Sequence, residues 1–329
     1  MASALKDAYE RKIDYLRLSI TDRCNLRCLY CTPKDGVQKL HHNEILRYEE
    51  ILRLAHLAIE MGITKIRITG GEPLARKDAI YLCKHIARMP GLGSLSITTN
   101  GVLLKRYAEA LFNAGIKRIN ISLDTLMPDK YQSITGRDCF HEVWDGIETA
   151  LAIGFSPIKL NAVVMLGVND DEIEALGTLT YQYPFHVRFI EFMPVNSDGN
   201  SGRFLSADAV LERLSRTAPL IPAESKNSNG PARYFCFPDS KGKIGIISPI
   251  SHHFCPNCNR LRLTPDGKLR TCLFAANETD LRALLRGGAT DSEIIEAIRT
   301  AIAAKPEKHK LDNDGFRKCI NRSMVSIGG

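Results

Sequence analysis

The stretch LRLSITDRCNLRCLYC, residues 16–31, contains the end of a β-rich run and the loop that follows it. The run is Ile13–Ile20, and Cys24, Cys28 and Cys31 come next in a C-x3-C-x2-C arrangement. Three thiolates this close can hold three irons of a cubane [4Fe–4S] cluster and leave the fourth iron open. The alternative is a zinc knuckle, but zinc normally takes four ligands and no histidine lies close by in the sequence. The stretch therefore predicts a strand followed by a cluster-binding loop.

Further strand and helix signals alternate through the first 195 residues. β-rich runs follow at Lys65–Thr69, Ser94–Thr99, Arg118–Leu123, Ile158–Met165 and His186–Glu191. The segments between them have helical spacing, for example the apolar residues Ile51, Leu54, Ala55 and Ala58. Six βα units in series predict a parallel sheet with right-handed crossovers.

The number of βα units limits which architectures are possible. A closed (β/α)8 barrel needs eight units, so we expect an incomplete (β/α)6 TIM-like barrel in an α/β fold. A doubly wound sheet remains the alternative, because counting units does not give the strand order. In either architecture, ligands gather at the carboxyl ends of the strands.

The pattern changes after residue 195. A polar loop at residues 196–202 precedes a helix, several short strands and two more helices, which end near residue 304. We interpret residues 196–329 as a C-terminal α+β layer on a barrel formed by residues 1–195. Gly62, Gly115 and Gly154 each lie between a predicted helix and a strand, where a left-handed cap is expected.

Composition excludes several classes of protein. The chain has 329 residues, 44% hydrophobic and 25% charged, which is typical of a soluble globular protein. There is no uncharged apolar run of membrane-span length, and residues 1–12 lack the apolar core of a secretory signal. We therefore expect a cytoplasmic protein with no membrane partner. The net charge of +7 suits an anionic substrate but is too small to indicate nucleic acid.

The ten cysteines include a second triplet. Cys255, Cys258 and Cys272 are separated by two and thirteen residues, again without an evident fourth ligand. This spacing is compatible with a second [4Fe–4S] cluster, or with a zinc site completed by His252 or His253. The other cysteines are interpreted as small buried hydrophobic residues: Cys83, Cys139, Cys236 and Cys319.

A Gly-Gly-Glu-Pro turn, residues 70–73, directly follows the second strand. The glycines would let the backbone approach a ligand closely, and Glu72 would offer a carboxylate to an amine. Alone this signal is weak. The sequence contains no phosphate-binding G-x4-G-K-[S/T] loop, which disfavours ordinary nucleotide hydrolysis.

Together, the cysteine loop after the first strand and the Gly-Gly-Glu-Pro turn after the second resemble the radical S-adenosylmethionine enzymes. Further segments extend the resemblance to the GTP-cyclising branch of that family, which acts in molybdenum cofactor biosynthesis. These segments are NISLD at 120–124, RFIEFMP at 188–194, CPNCNRLR at 255–262 and the terminal Gly-Gly. The resemblance covers nearly the whole chain, in order.

The resemblance implies two [4Fe–4S] clusters and S-adenosylmethionine as cofactors. Cys24, Cys28 and Cys31 would bind the cluster whose open iron chelates S-adenosylmethionine, and the second triplet would bind the cluster that contacts guanine. The positions that match the family's surroundings of the cofactor are Tyr30, Gly71, Ser122 and Met193. A 5′-deoxyadenosyl radical would remove hydrogen from C3′ of GTP, and the C3′ radical would attack C8. No protein side chain is predicted to act as a catalytic acid or base.

Cationic side chains are predicted to bind the triphosphate. Arg260 and Arg262 alternate along one strand and therefore project from the same face. The resemblance adds Arg17, Arg67, Thr98, Lys159 and Arg188. A single strand arginine usually lies at an edge or surface. Several on separate strands favour an inward anion site, because a triphosphate carries about four negative charges.

The resemblance also implies partners: GTP as substrate, a reduced electron donor, and cyclic pyranopterin monophosphate synthase as recipient of the product. A homodimer is compatible with the sequence. One alternative function is another radical S-adenosylmethionine enzyme with an auxiliary cluster, such as a peptide-modifying maturase, although those usually carry more C-terminal cysteines. A non-enzymatic iron–sulfur carrier or zinc module is the other, but it would need four-ligand sites and no six-unit barrel.

Overall fold

The computed structural model describes residues 5–32, 36–193, 203–223, 230–309 and 322–328. The predicted boundary between residues 195 and 196 lies outside this part of the chain. So do the predicted polar loop at 196–202, Cys319 and Gly329.

Six parallel strands form the centre of the fold, as the sequence predicted. They pair in chain order: β1 (Tyr15–Ser19), β2 (Lys65–Thr69), β3 (Ser94–Thr99), β4 (Arg118–Ser122), β5 (Ile158–Val164) and β6 (His186–Glu191). The helices on their outer side are α1 (Tyr48–Glu60), α2 (Ala79–Ala87), α3 (Leu104–Asn113), α4 (Pro128–Thr135), α5 (Phe140–Ile153) and α6 (Ile173–Gln182). Consecutive pairing excludes the doubly wound alternative, whose strand order reverses at a switch point.

The strands bury their aliphatic residues against the helices and turn polar residues inward. In β2, for example, Ile66 and Ile68 are buried, whereas Lys65 and Arg67 line the interior. The main hydrophobic core therefore lies between sheet and helices, where each buried aliphatic side chain contributes about 1.5–3 kcal/mol. The polar residues on the inner side of the sheet lie outside this core and can face a charged ligand.

The helices confirm the periodicity and the caps. Ile51, Leu54, Ala55 and Ala58 are all buried on one face of α1. Gly62, Gly115 and Gly154 have φ angles of 109°, 100° and 98°, in the left-handed region predicted for them.

The C-terminal part continues the barrel sheet at both edges. Its strands are β7 (Ile221–Pro222), β8 (Ala232–Cys236), β9 (Lys243–Ile247), β10 (Arg260–Leu263), β11 (Lys268–Arg270) and β12 (Thr279–Asp280). β10 pairs in parallel with β1, and β9 pairs in parallel with β6. β11 then joins β10, and β8 joins β9, both antiparallel, so the twelve-stranded sheet ends at β12 and β7 and the barrel stays open.

In the described residues of the C-terminal part, the α-helices are α7 (Ala207–Thr217), α8 (Leu281–Arg286), α9 (Asp291–Ala303) and α10 (Met324–Ile327). The carboxylate of Glu191, at the end of β6, ties this part to the barrel. It accepts hydrogen bonds from the backbone nitrogens of Ala207, Ile250 and Ser251 at 2.8–3.1 Å. None of the helices described here is long and apolar enough to cross a membrane.

Candidate active site

A cavity of about 980 Å³ occupies the inside of the sheet and connects the two cysteine triplets. With the exception of Glu72, every residue predicted for the clusters, the cofactor and the substrate lines it. The first triplet and the Gly-Gly turn lie at the carboxyl ends of β1 and β2, where ligands of parallel barrels bind. The second triplet lies beside β10, at one edge of the parallel strands.

The loop of the first triplet is held by backbone hydrogen bonds. Arg27 N donates to Thr135 O at the end of α4, and Cys31 N donates to Cys28 O at 2.9 Å. Cys24 Sγ accepts from Leu26 N at 3.4 Å. These hydrogen bonds hold the cysteine loop against the end of α4.

Burial and neighbouring negative groups raise the pKa values of the three thiols. Burial and the negative charge of Cys24 and Asp124 raise the pKa of Cys31 to about 12. Burial likewise raises the pKa of Cys24 and, to a greater extent, that of Cys28. A cationic cluster that takes up three thiolates would relieve this mutual repulsion.

The Gly-Gly turn packs against the cysteine loop. A Cβ atom on Gly71 would lie 2.3 Å from Arg23 O, so only glycine allows this approach. The backbone nitrogens of Gly71 and Glu72 donate to Thr21 O and Arg23 O, both at 2.8 Å. The glycines thus admit the backbone of the cysteine loop, and Gly71 also lines the cavity.

The expectation that the Glu72 carboxylate is offered to a ligand amine is wrong. Glu72 is fully buried, and its oxygens accept from Leu74 N, Thr99 Oγ1 and Asn100 N at 2.7–2.9 Å. Burial raises its pKa to about 7. The carboxylate fixes the turn to the end of β3, because three protein donors already surround it.

Asp124 is a cavity residue that sequence reasoning left without a role. Its carboxylate accepts from the Tyr30 hydroxyl and from Val163 N, both at 2.8 Å. Burial raises the pKa of Asp124 to about 6. The hydrogen bond orients Tyr30 beside the first triplet, and Ser122 and Met193 also line the cavity.

Three arginines face the cavity at one level on neighbouring strands. Arg17 in β1 lies in register with Arg262 in β10 on one side and with Arg67 in β2 on the other. Burial and the charge of Arg262 lower the pKa of Arg17 well below its usual value. The carbonyl of Gly328 accepts from Arg17 at 3.1 Å and from Arg262 at 3.3 Å, so the C-terminal tail enters the cavity.

Lys159 and Arg188 supply positive charge on the other side. Burial, with Arg188, Arg67 and Arg118, lowers the pKa of Lys159 to about 7. Arg188 is oriented by the side-chain oxygens of Asn161 and Asn120, at 2.8 and 2.6 Å, and burial lowers its pKa to about 10. Neutral amides position this guanidinium without cancelling its charge.

Several buried polar atoms of the described residues also lack hydrogen-bond partners. Within the described chain, Thr98 Oγ1 and His186 Nδ1 have no hydrogen-bond partner. Because an unpaired buried polar atom costs about 1–3 kcal/mol, such atoms in a cavity wall indicate a ligand.

Sequence reasoning missed several polar residues of the cavity wall: Lys65, Arg118, Asn120, His186, Tyr234 and Lys243. A signal for some of them was present. Lys65 and His186 lie two residues before Arg67 and Arg188, and side chains two apart share a strand face. Tyr234 and Lys243 could not be predicted as cavity residues, because nothing in the local sequence shows that β9 joins the barrel.

The second triplet is surrounded by cations. Although burial opposes the shift, Arg260 and Lys305 lower the pKa of Cys258 to about 7. Cys258 N donates to Cys255 O at 3.1 Å. Arg260 and Arg262 both line the cavity, as their alternation predicted.

The histidines named for a zinc site have other contacts. His252 Nε2 lies 2.8 Å from the Asp208 carboxylate, and the His253 ring packs against His309 with centroids 5.6 Å apart. Among the described residues, no group of three His, Cys, Asp or Glu side chains is arranged to hold a metal ion.

Comparison with known proteins assigns the family. The Radical SAM superfamily model matches residues 18–179, and the Molybdenum Cofactor Synthesis C model matches residues 185–311. The GTP 3′,8-cyclases of Thermodesulfovibrio yellowstonii and Pelotomaculum thermopropionicum are 49% and 47% identical, over 99% of this chain and 100% of theirs. The chain belongs to the GTP 3′,8-cyclase family of radical S-adenosylmethionine enzymes. It accordingly uses S-adenosylmethionine and iron–sulfur chemistry.

The solved structures that this chain resembles share its fold at low sequence identity. Streptococcus suis SuiB bound to S-adenosylmethionine has a TM-score of 0.61 at 15% identity, over 88% of this chain and 68% of that chain. The same protein in a second crystal structure gives a TM-score of 0.60. This likeness confirms the radical S-adenosylmethionine fold, an incomplete barrel.

Both cysteine triplets fit the clusters that this family uses. Each supplies three thiols to the wall of a shared cavity, and three is the number of thiolates that a cubane with one open iron takes. The fit lies in the number and placement of the thiols, since no three of the described side chains are already gathered around a single metal ion. A cofactor at the first triplet and a nucleotide at the second would therefore meet in the space between them.

Proposed function

We propose that this protein converts GTP to (8S)-3′,8-cyclo-7,8-dihydroguanosine 5′-triphosphate, as a lyase at the first step of molybdenum cofactor biosynthesis. The observation that carries the proposal is a single cavity with a cysteine triplet at each end and buried cations between them. A triphosphate provides the negative charge that these cations require.

The first triplet would hold the [4Fe–4S] cluster that binds S-adenosylmethionine. Cys24, Cys28 and Cys31 are its ligands in this proposal, and Tyr30, Gly71, Ser122 and Met193 contact the cofactor. When bound, this pair supplies the radical chemistry that removes hydrogen from C3′ of GTP. The hydrogen bond to Asp124 holds Tyr30 in place.

The substrate would lie between the two triplets. Arg17, Arg67 and Arg262 bind phosphate oxygens from one side, and Lys159 and Arg188 bind them from the other. Arg260 and Thr98 complete the site. Burial and mutual repulsion lower the pKa values of Arg17, Lys159 and Arg188. Binding of an anion between these side chains offsets their repulsion and is therefore strongly favoured.

The second triplet would hold a second [4Fe–4S] cluster through Cys255, Cys258 and Cys272. Its open iron would bind the guanine base and so hold the nucleotide with C3′ towards the first triplet. We assign residues 1–195 to the barrel with the first cluster and residues 196–329 to the layer with the second.

The partners follow from the reaction. A reduced one-electron donor starts it, and cyclic pyranopterin monophosphate synthase takes the product. We place the protein in the cytoplasm, and a homodimer is compatible with the proposal.

The decisive experiment is anaerobic incubation with S-adenosylmethionine, a strong reductant and GTP deuterated at C3′. We expect the cyclised nucleotide and deuterium-labelled 5′-deoxyadenosine, both measured by mass spectrometry. Guanosine is the control, because it has the same C3′ hydrogen but no phosphate to engage the cations. Product without deuterium transfer, or equal turnover of guanosine and GTP, would contradict the proposal.

A further inference from the structure

Lys305 follows α9 and carries a buried charge that the proposed reaction does not use. The residue is 3% exposed. Its Nζ lies 3.6 Å from Cys258 Sγ and 3.1 Å from Arg260 O, and it also donates to Thr271 O. These three acceptors match the three N–H donors of an ammonium group. Lys305 therefore holds the backbone next to Cys258 and Cys272 and directs a proton towards a cysteine sulfur.

A second buried cation, Arg11, reaches the same triplet in a different way. It donates to Cys255 O at 2.9 Å, and to Pro306 O and Glu307 O at 2.7 Å. Its charge is paired with Asp7, whose carboxylate lies 2.6 Å away. Arg11 and Asp7 thus fasten the triplet without adding net charge.

Lys305 differs because its charge is not cancelled. Among the described residues it forms no ion pair with a carboxylate, and its nearest anionic group is a cysteine that the cluster would ligate. Hydrogen bonds to cluster sulfurs and nearby positive charge both favour the reduced, more negative state of a cluster. Burial keeps solvent ions from screening this effect.

We propose that Lys305 is a positioning residue that raises the reduction potential of the second cluster. The inference rests on the proposed function, since it requires a [4Fe–4S] cluster at the second triplet. Reduction adds one electron from an external one-electron donor and breaks no bond. The ammonium stabilises the added charge through Cys258, and the same group keeps Cys258 and Cys272 in place for the cluster.

The test uses the full-length chain with Cys24, Cys28 and Cys31 replaced by alanine, so that only the second cluster forms. Midpoint potentials are measured with dithionite as reductant and electron paramagnetic resonance as readout, alongside an iron count. We expect Lys305→Met to retain iron and lower the reduced-to-oxidised ratio at a given potential more than tenfold, which is about 59 mV for one electron. Lys305→Arg, which keeps the charge, should stay close to the parent.

The matched control is the double variant Arg11→Met/Asp7→Leu. It removes hydrogen bonds to the same loop but no net charge, so its potential should stay close to the parent. If Lys305→Met loses the cluster, Lys305→Gln keeps two donors without the charge and should show the same fall. An unchanged potential in an iron-loaded Met or Gln variant would overturn this inference alone. A parent that binds no iron would overturn the second cluster, and this inference with it.

Discussion

Lys159 shows how neighbouring positive charges in the cavity affect a single side chain. Its ordinary ammonium pKa falls to about 7 through burial and the neighbouring Arg188, Arg67 and Arg118. His186 is affected in the same way, since burial and Lys159 lower its pKa to about 4. An anion placed among these groups restores the charged form of Lys159, so anion binding and protonation are coupled.

This coupling predicts the pH dependence of GTP binding. Above pH 7 free Lys159 loses its proton, and binding must take one up. The Kd for GTP should therefore rise with pH, by up to about tenfold per pH unit. Calorimetry between pH 6 and 8.5, in buffers of different ionisation enthalpy, measures both the affinity and the proton uptake.

Lys159→Met supplies the control, because the phosphates of GTP titrate equally with both proteins. At pH 6 the variant should bind GTP about ten- to a hundredfold more weakly, the value of a charge-assisted hydrogen bond. Its remaining pH profile should be flatter. Identical profiles for the two proteins would show that Lys159 is not the titrating group.

At the scale of elements, the position of Arg188 depends on the strand beside it. Gly245 in β9 lies in register with Arg188 in β6, and a Cβ atom there would be 2.8 Å from Arg188 Cγ. Gly245→Ala should therefore displace the arginine and weaken GTP binding about tenfold. Overpacking of this kind costs about 1–3 kcal/mol, so the protein should still fold.

A double-mutant cycle separates displacement of Arg188 from general damage. If Gly245→Ala acts through Arg188, then Gly245→Ala/Arg188→Ala should bind GTP as Arg188→Ala alone does. Additive losses in the double variant would mean that the added methyl group disturbs the site by another route.

Glu191 joins two further elements, β6 and the start of α7. Glu191→Ala leaves the buried backbone donor of Ala207 and the partly buried hydrogen bonds from Ile250 N and Ser251 N without an acceptor, and an unpaired buried donor costs about 1–3 kcal/mol. We expect the free energy of unfolding, from urea denaturation of the metal-free protein, to fall by about 1–3 kcal/mol. The exposed Glu212, whose carboxylate pairs with Arg216, is the control, and Glu212→Ala should change stability by less than about 0.5 kcal/mol. Equal losses would contradict the bridging role.

For the whole molecule, the two triplets at opposite ends of one cavity predict separable functions. Cys24→Ala should abolish formation of 5′-deoxyadenosine, because the first cluster no longer presents an open iron. Cys258→Ala should retain some of that cleavage but form no cyclised nucleotide. Reconstituted protein should contain about eight irons per chain, and a variant lacking one triplet about four. Normal product from Cys258→Ala would make the second triplet structural only.

The sequence by itself determined the repeated units and the faces of the strands. In β1, Leu16 and Leu18 flank Arg17. Because successive side chains of a strand point to opposite faces, this alternation predicts an aliphatic outer face and a polar inner face. The cysteine spacings and the helical face of α1 were equally local, so both could be predicted. In each case, the residues that determine the local structure lie within a few positions of one another in the sequence.

Only the tertiary structure decided which distant groups meet. It placed β9 and β10 on the barrel edges, turned Glu72 towards protein donors, and brought Gly328 to Arg17 and Lys305 to Cys258. These contacts join segments tens to hundreds of residues apart, and they depend on sheet register and loop closure. Periodicity along the chain records which face of an element is buried, but it carries no information about which other element covers that face.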